Sequence, residues 1–524
     1  VRSVQKLGHP RAMRLMLSGK QLSAKSAKTM GLVDYAGPEW QLRNAAQALI
    51  RQQPAVFKPA WAQRLAGSRL ARPLVATILR KQLAKKANPE HYPAPYRLID
   101  HWSRYAGRPV AMYASEANTV AELITGDAAQ NLIRVFMLRN RLKGSASRSV
   151  LDPRHVHVVG GGVMGGDIAA WCALKGLQVT LQDRAPEYIS RAIGRANALF
   201  RKKLRNPYLY QAASDRLMGD HQGLGVSKAD VVIEAIYEDV AAKQELYATL
   251  EPRLKPEAVL ASNTSSIPLQ ILSQQLADPR RLVGLHFFNP VAKMPLVEVI
   301  NSEYTDPDMA GRAAAFVLHL DKLPLQVKSS PGFLVNRVLL PYLLEAVELL
   351  QEGVPAVAID EAAVGFGMPM GPVELADSVG LDICLSVAGK MSEIIHNQVP
   401  DSLSRLVEQD NLGRKSGQGF YKWEKGVAVK PASSRTADIP PDIEDRLILR
   451  LLNECIGCLS EGIVSDGDLL DAGIIFGTGF APFRGGPLHY VRSRGSKALR
   501  KRLHGLECKY GEHFHASKGW ATVV

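Results

Sequence analysis

The stretch LHFFNPVAKMPLVEVI, residues 285–300, holds one histidine and one glutamate among apolar neighbours. Leu285, Phe287 and Phe288 flank His286, and Val297, Val299 and Ile300 flank Glu298. Burying a charge is costly unless it is paired. Two readings follow. The groups satisfy each other as a structural pair in a buried hairpin, or an acid-backed imidazole moves protons. The stretch alone leaves both open, and the structural pair is the commoner case. A second candidate lies in ASNTSS, residues 261–266, where Ser265 could hold a substrate oxygen or cap the helix predicted over IPLQILSQQL.

A third group of residues speaks for a cofactor. Gly160, Gly162 and Gly165 give GxGxxG after the β-rich run HVHVV and ahead of a helical pattern. The first glycine permits a tight turn, and the second lets backbone approach a pyrophosphate seated on the helix N-terminus. Asp183 follows at the end of the next strand, where an acid would bind the adenosine ribose hydroxyls. Strand, helix, strand and acid in this order imply NAD. The Asp183 carboxylate would repel a 2′-phosphate, and neighbouring Arg184 weakens the preference over NADP only slightly. Asp167, in the first helical turn, suits the helix dipole but would oppose a pyrophosphate, so it is expected to point away.

These residues need elements to position them. From residue 155 short apolar runs alternate with helical stretches: HVHVV (155–159), LQVTLQ (177–182), ADVVIEAI (229–236), EAVLAS (257–262) and RLVGLHFF (281–288). LPLQVK (323–328) reads as the last strand. The alternation implies an α/β fold, a Rossmann-type doubly wound parallel sheet, with His286 at the carboxyl edge where such sheets bind ligands. Residues 1–150 read as helical, with Pro93 and Pro95 breaking the pattern. Beyond 330 the chain is helical again. Asn336–Val354 repeats as Asp445–Ile463, with Arg337/Arg446, Glu345/Glu454 and Glu352/Glu461 identical across the copies. Between them EKGVAVKPASSRTADIPPDIED reads as a linker. The expected organisation is 1–150, 151–329, 330–435 and 436–524, the last two being tandem all-α domains.

Composition narrows the class. The chain has 524 residues, 46% of them hydrophobic and 22% charged, which fits a globular protein rather than a disordered one. The net charge of +15 implies a solvated basic surface or attraction for a phosphorylated ligand. No nucleic-acid-binding signature is present, so a small ligand is favoured over nucleic acid. Lys202, Lys203 and Arg205 are candidate phosphate contacts, or a solvated helix face. Five cysteines are too few and scattered for a disulfide framework. The pair Cys455/Cys458 falls in a helical pattern with no second pair, so core packing is expected rather than metal binding. No apolar run is long enough for a membrane span. The first residue is valine, so the chain is read as a processed or partial product.

The motifs GGGVMGGDIA, VIEAIYEDVAAKQELY, ASNTSS, GLHFFNPVAKMPLVEVI and SSPGFLVNRVLLPYLLEA resemble the L-3-hydroxyacyl-CoA dehydrogenases over residues 155–425. The resemblance implies His286 as general base, Glu298 as its partner, and Ser265 and Asn336 as donors to the substrate oxygen. It also implies Met164, Asp183, Glu238, Lys243, Ser265 and Asn289 beside NAD, together with Gly160, Gly162 and Gly165. The duplicated C-terminal helices look like the multifunctional fatty-acid β-oxidation enzymes of the α-subunit type. VRSVQKLGHPRAMRLMLSGKQLSAKSAKTMGLVD is similar to the closing helices of a crotonase-like enoyl-CoA hydratase domain, and HYPAPYRLID to its connection.

The implied reaction is NAD-dependent oxidation of (S)-3-hydroxyacyl-CoA, with no hydratase chemistry in these residues. Asp445 stands opposite Asn336, so the second copy is expected to be structural. Phe476 replaces a tyrosine of some relatives, leaving apolar contact only. The resemblance further implies an acyl-CoA substrate, a 3-ketoacyl-CoA thiolase subunit and a homodimer as partners. It implies a bacterial cytoplasmic setting, with the mitochondrial matrix as alternative. Two rivals are an NAD-binding scaffold for a thiolase, and a bifunctional hydratase–dehydrogenase if a longer gene product supplies the missing half.

Overall fold

The computed structural model describes residues 2–53, 65–146, 150–395, 400–431 and 439–521. It divides into two units, Val1–Leu132 and Ile133–Val524. The first unit ends at Leu132. Arg134 bonds Asp468 at 2.6 Å and Asp471 at 2.8 Å, and Arg141 bonds Asp466 at 2.6 Å, which ties the helix after 132 to the last domain.

Every regular element among the described residues of the first unit is a helix. Leu7, Met13, Ile99 and Trp102 form its core, and the Trp102 indole donates to His9 at 2.9 Å. Pro93, expected to break the pattern, instead starts the helix Pro93–Tyr105. At the first helical position its missing N–H would have no intrahelical partner anyway.

The second unit is built on eight strands: β1 (His155–Val159), β2 (Gln178–Gln182), β3 (Leu217–Gly219), β4 (Val231–Glu234), β5 (Val259–Ser262), β6 (Leu282–Phe287), β7 (Leu296–Asn301) and β8 (Leu323–Lys328). Their order is β3-β2-β1-β4-β5-β6-β7-β8. The first six run parallel, β7 is antiparallel to β6, and β8 is parallel to β7. The central strands are buried on both faces, so their sequences are continuous apolar runs without alternation. β1 is the exception. His155 and His157 are buried in it and both bond the Thr180 hydroxyl, at 2.9 and 2.8 Å. The strand order reverses between β1 and β4, which opens a crevice at their carboxyl ends. β3 escaped the sequence reading because three residues carry no readable period.

The two repeat copies pack against each other through one hydrophobic core. Helix Val335–Gln351 crosses helix Ile443–Ser460, and the repeated charges pair across the crossing. Arg337 bonds Glu454 at 2.6 Å and Glu461 at 2.6 and 2.7 Å. Arg446 bonds Glu345 at 2.6 Å and Glu352 at 2.6 Å. Each copy's arginine therefore finds the other copy's two glutamates. Cys455 and Cys458 are buried in this core, and burial holds both thiols well above their ordinary range. The all-α expectation needs one correction. Lys422–Glu424 and Val427–Val429 form a short antiparallel hairpin at the start of the expected linker. The boundary placed at 435/436 lies outside the described residues. Among the described residues no helix is long and apolar enough to cross a membrane.

Candidate active site

β6 and β7 pair so that His286 stands directly opposite Glu298. The His286 Nδ1 lies 2.7 Å from Glu298 Oε2. The other carboxylate oxygen, Oε1, accepts the backbone N–H of Leu334 at 3.1 Å and of Val335 at 3.0 Å. Those N–H groups open the helix Val335–Gln351 and have no intrahelical partner. A fully buried carboxylate is thus placed on the positive end of a helix, where both its charge and its lone pairs are satisfied. That arrangement keeps Glu298 an acceptor, so the Nδ1 of His286 carries the proton and Nε2 presents its lone pair. Phe288 packs edge-on to the ring at 4.6 Å and Phe333 lies at 5.7 Å. The imidazole keeps 7% of its side chain open, and its Nε2 has no protein partner among the described residues.

The loop after β5 faces this pair. Asn336, in the first turn of the same helix, donates to the Ser265 carbonyl at 3.3 Å. Ser265 does not cap the following helix, which starts only at Leu269 after Pro268. Thr264 takes the turn-closing role instead, accepting Ile267 N–H at 3.0 Å. The Ser265 hydroxyl donates to Glu238 Oε1 at 3.3 Å. Glu238 also accepts Thr264 Oγ1 at 2.6 Å and Ser265 N–H at 2.9 Å. Burial alone would push its carboxyl up, but the Lys243 charge and these hydrogen bonds outweigh that and hold it below its ordinary value. Asn263, absent from the sequence reading, ties the loop to the histidine strand by accepting Phe287 N–H at 2.9 Å.

Lys243, expected at the cofactor site, is 1% exposed, and its ammonium bonds Glu234 at 2.6 Å and Glu238 at 3.3 Å. It lies beneath the crevice as a support. Glu234, missed by the sequence reading, is the hub of that support. It also accepts Tyr247 Oη and Ser262 Oγ, each at 2.7 Å, and Ile236 N–H at 2.8 Å. A glutamate inside the apolar run VVIEAI was the available signal.

The glycine turn fits a dinucleotide. Gly160 has φ +112°, and a Cβ there would stand 2.4 Å from the Ala235 carbonyl. A Cβ at Gly165 would stand 2.0 Å from the Gly160 carbonyl. At Gly162 a Cβ would meet nothing within 4 Å, so this glycine borders open space at the N-terminus of helix Val163–Leu174. That helix has no side-chain cap, so its first N–H groups remain available to an anion. Asp183 follows β2, and its Oδ2 accepts Gly161 N–H at 2.6 Å. Arg195 braces the same turn from outside, donating to the Gly162 carbonyl at 2.7 Å. Burial raises the Asp167 carboxyl, and the nearby Arg195 charge opposes the rise.

Met164, at the start of helix Val163–Leu174, packs partly buried against the sheet core. Asn289 is exposed just beyond β6 and precedes a cis peptide to Pro290. Lys202, Lys203 and Arg205 are exposed, with the Lys203 ammonium 5.7 Å from the Trp171 ring centroid. Phe476 is half-buried against the C-terminal core.

Comparison with known proteins agrees with this geometry. Residues 155–330 match the NAD-binding domain of 3-hydroxyacyl-CoA dehydrogenase, and residues 332–423 match its C-terminal domain. The chain is 33% identical over 551 residues to the fatty acid oxidation complex subunit alpha of Shewanella putrefaciens, covering 99% of this chain and 77% of that protein. The 3-hydroxybutyryl-CoA dehydrogenase of Escherichia coli superposes with a TM-score of 0.62 at 26% identity, covering 71% of this chain and 98% of that one. The dehydrogenase part of a multifunctional enzyme from C. elegans gives 0.55 at 25% identity, covering 76% and 99%. A chain matched in this way belongs to the 3-hydroxyacyl-CoA dehydrogenase family, NAD-dependent oxidoreductases of fatty-acid oxidation.

Proposed function

We propose that His286 is the general base that takes the hydroxyl proton of an (S)-3-hydroxyacyl-CoA as it becomes the 3-oxoacyl-CoA. NAD, when bound, accepts the hydride from C3. The single observation that carries the proposal is the lock on His286. Its Nδ1 is fixed on Glu298 and its Nε2 has no protein partner among the described residues. The Glu298 carboxylate then stabilises the imidazolium that forms. Asn336 and Ser265 hold the substrate oxygen; the 3.3 Å bond from Ser265 to Glu238 is long enough to be exchanged for it. Gly160, Gly162 and Gly165 open the pyrophosphate seat, Asp183 takes the ribose, and Met164, Glu238 and Asn289 border the rest. Lys243 acts through Glu238 as a positioning residue. Residues 151–329 serve as the cofactor domain in this reading.

The test is NADH oxidation at 340 nm with acetoacetyl-CoA. His286→Gln should abolish turnover while NADH still quenches protein fluorescence. Wild-type protein that binds NADH and never turns over would replace this reading by an NAD-binding scaffold.

We propose an assembly as well, supported by relatives that are subunits of a fatty acid oxidation complex. A 3-ketoacyl-CoA thiolase subunit would receive the 3-oxo product, in a cytoplasmic complex that includes a second copy of this chain. Size-exclusion with light scattering, with and without a thiolase, tests both contacts. The described part of residues 1–150 is helical, and we assign it no hydration chemistry; crotonyl-CoA hydration by this chain would overturn that.

A further inference from the structure

The helix crossing holds one buried carboxylate oxygen that its ion pairs do not satisfy. Glu345 is 0% exposed, and its Oε1 accepts from Arg446 at 2.6 Å. Its Oε2 has no hydrogen-bond partner among the described residues, and neither has the buried Nε2 of His513. Leaving two such atoms side by side costs free energy unless something bridges them. They stand 3.4 Å apart, and the same Nε2 stands 3.4 Å from Glu348 Oε2. Both separations exceed the about 2.7–3.2 Å of an N–H···O bond, so one shared proton serves neither carboxylate well. They match the edge of a tetrahedron instead. Zinc bonds of about 2.0–2.1 Å to imidazole nitrogen and carboxylate oxygen set neighbouring ligands about 3.3–3.4 Å apart. Three ligand atoms, one from each residue, lie within 4.8 Å of one another.

We propose that Glu345, Glu348 and His513 bind a divalent transition-metal ion of the zinc type, with water as fourth ligand. Two distant stretches of chain supply the site. Glu345 and Glu348 are one turn apart on helix Val335–Gln351, which puts both on one face. His513 lies in the 3-10 turn Glu512–Phe514, beyond the last helix of the second copy. Its ring packs on the buried Phe514 at 4.4 Å, and its carbonyl accepts from Arg450. The side chains of His513 and Glu348 are 15% and 23% exposed, which gives the water its access. Two carboxylates and one imidazole are a borderline donor set that suits zinc better than calcium or magnesium, which prefer oxygen alone. Charge agrees. The crossing sets four glutamates against Arg337 and Arg446, and Glu348 and Arg450 add one charge of each sign, so a dication meets an excess of negative charge. Arg446 is committed to Glu345 Oε1 and Glu352, which leaves Oε2 to face the metal. The ion is a staple: it fastens the end of the second copy to the helix that opens on Glu298.

The test strips the full chain with a chelator, dialyses it against zinc, desalts it and counts metal by elemental analysis. About one zinc per chain should remain, and added zinc should raise the Tm of the stripped protein. His513→Gln and Glu348→Gln should each weaken zinc binding about a hundredfold and abolish that rise. Without zinc both variants should unfold at the wild-type temperature, since neither side chain is fully buried. Glu345 is left intact, because its loss would strand Arg446 with or without a metal. Cobalt in place of zinc should show the visible d–d bands of a four-coordinate site and no thiolate charge-transfer band. The exposed His504, Glu507, Cys508 and His515 form the competing surface site. Zinc kept by His513→Gln but lost from a His504→Gln, His515→Gln double variant overturns the proposal. A thiolate band in the cobalt spectrum, or no zinc retained by the wild type, overturns it as well.

Discussion

The two copies of the internal repeat share a scaffold and differ at one end. In both, a long helix carries an arginine and a glutamate, with a second glutamate at its C-cap, and the cross-paired bonds between copies are equivalent. At the N-terminus they part. The first helix begins at Leu334 and Val335, whose N–H groups hold Glu298, and Asn336 next to them reaches the Ser265 loop. The second helix has Asp445 at the matching place, ion-paired to Arg502, and its leading Asp442 bonds Lys509 and Tyr510 at 2.9 Å. One helix N-terminus orders the His286–Glu298 pair, and the other orders only its own domain. Duplication preserved the packing charges in both copies, while the chemistry depends on what the neighbouring sheet offers to the first copy alone.

The comparison can be broken most severely at the first copy. Glu298→Gln should leave the imidazole without its stabilising charge and lower kcat by roughly 10²–10⁴-fold, read by NADH oxidation. Asn336→Asp, which makes the first copy resemble the second, should cost on the order of a hundredfold in kcat by removing one donor to the developing oxyanion. The reverse change, Asp445→Asn, should leave the rate unchanged. Any comparable loss from Asp445→Asn would show that the second copy is more than a scaffold.

The shared charges sharpen the comparison through stability. Arg446 and Glu345 are 1% and 0% exposed. Arg446→Met should therefore destabilise by about 3–5 kcal/mol in urea unfolding, because it strands a buried carboxylate. Arg337→Met should cost less, since Glu461 is half exposed and can be rehydrated. Replacing Glu345 by Met in the Arg446→Met background should recover much of the loss.

The smallest effect lies outside the repeat, in β1. Burial lowers both His155 and His157, and the Gln182 side chain at 2.9 Å opposes the shift at His157. A histidine with a folded value below 6.5 takes its proton more readily when unfolded. Stability contributed by the neutral form is complete above 6.5 and falls as pH drops toward the folded value. The slope is at most about 1.4 kcal/mol per pH unit for each histidine. His157→Gln should flatten that part of the pH–stability curve, whereas Arg446→Met should leave its shape intact. This assigns the part of the acid sensitivity that begins near 6.5 to the sheet, while the lowered Glu345 carboxyl at the helix crossing acts at lower pH.

Much of this was legible before any coordinates. GxGxxG between two β-rich runs, with Asp183 after the second, carries its meaning in local spacing, because strand, turn and helix are short-range structures. The Arg337/Arg446 and Glu345/Glu454 identities marked the repeat. They could not say that each arginine binds the opposite copy, since pairing across a crossing depends on how the helices dock. The cap alternative for Ser265 fails for a similar reason. Its spacing suits a cap, yet Pro268 postpones the helix to Leu269 and Thr264 closes the turn.

His286 and Glu298, twelve residues apart, were determined as a pair by the hairpin that their apolar flanks require. What the sequence could not supply is the third party, the N-terminus of a helix more than thirty residues further on, which fixes the carboxylate and so the imidazole. It could not place Lys243 either, because burial of a lysine is decided by Glu234 on a neighbouring strand. Alternation, glycine spacing and turn chemistry are local and are written in the chain. Which charged groups meet is settled by packing, since the cost of burying a charge is relieved only by partners brought from distant sequence.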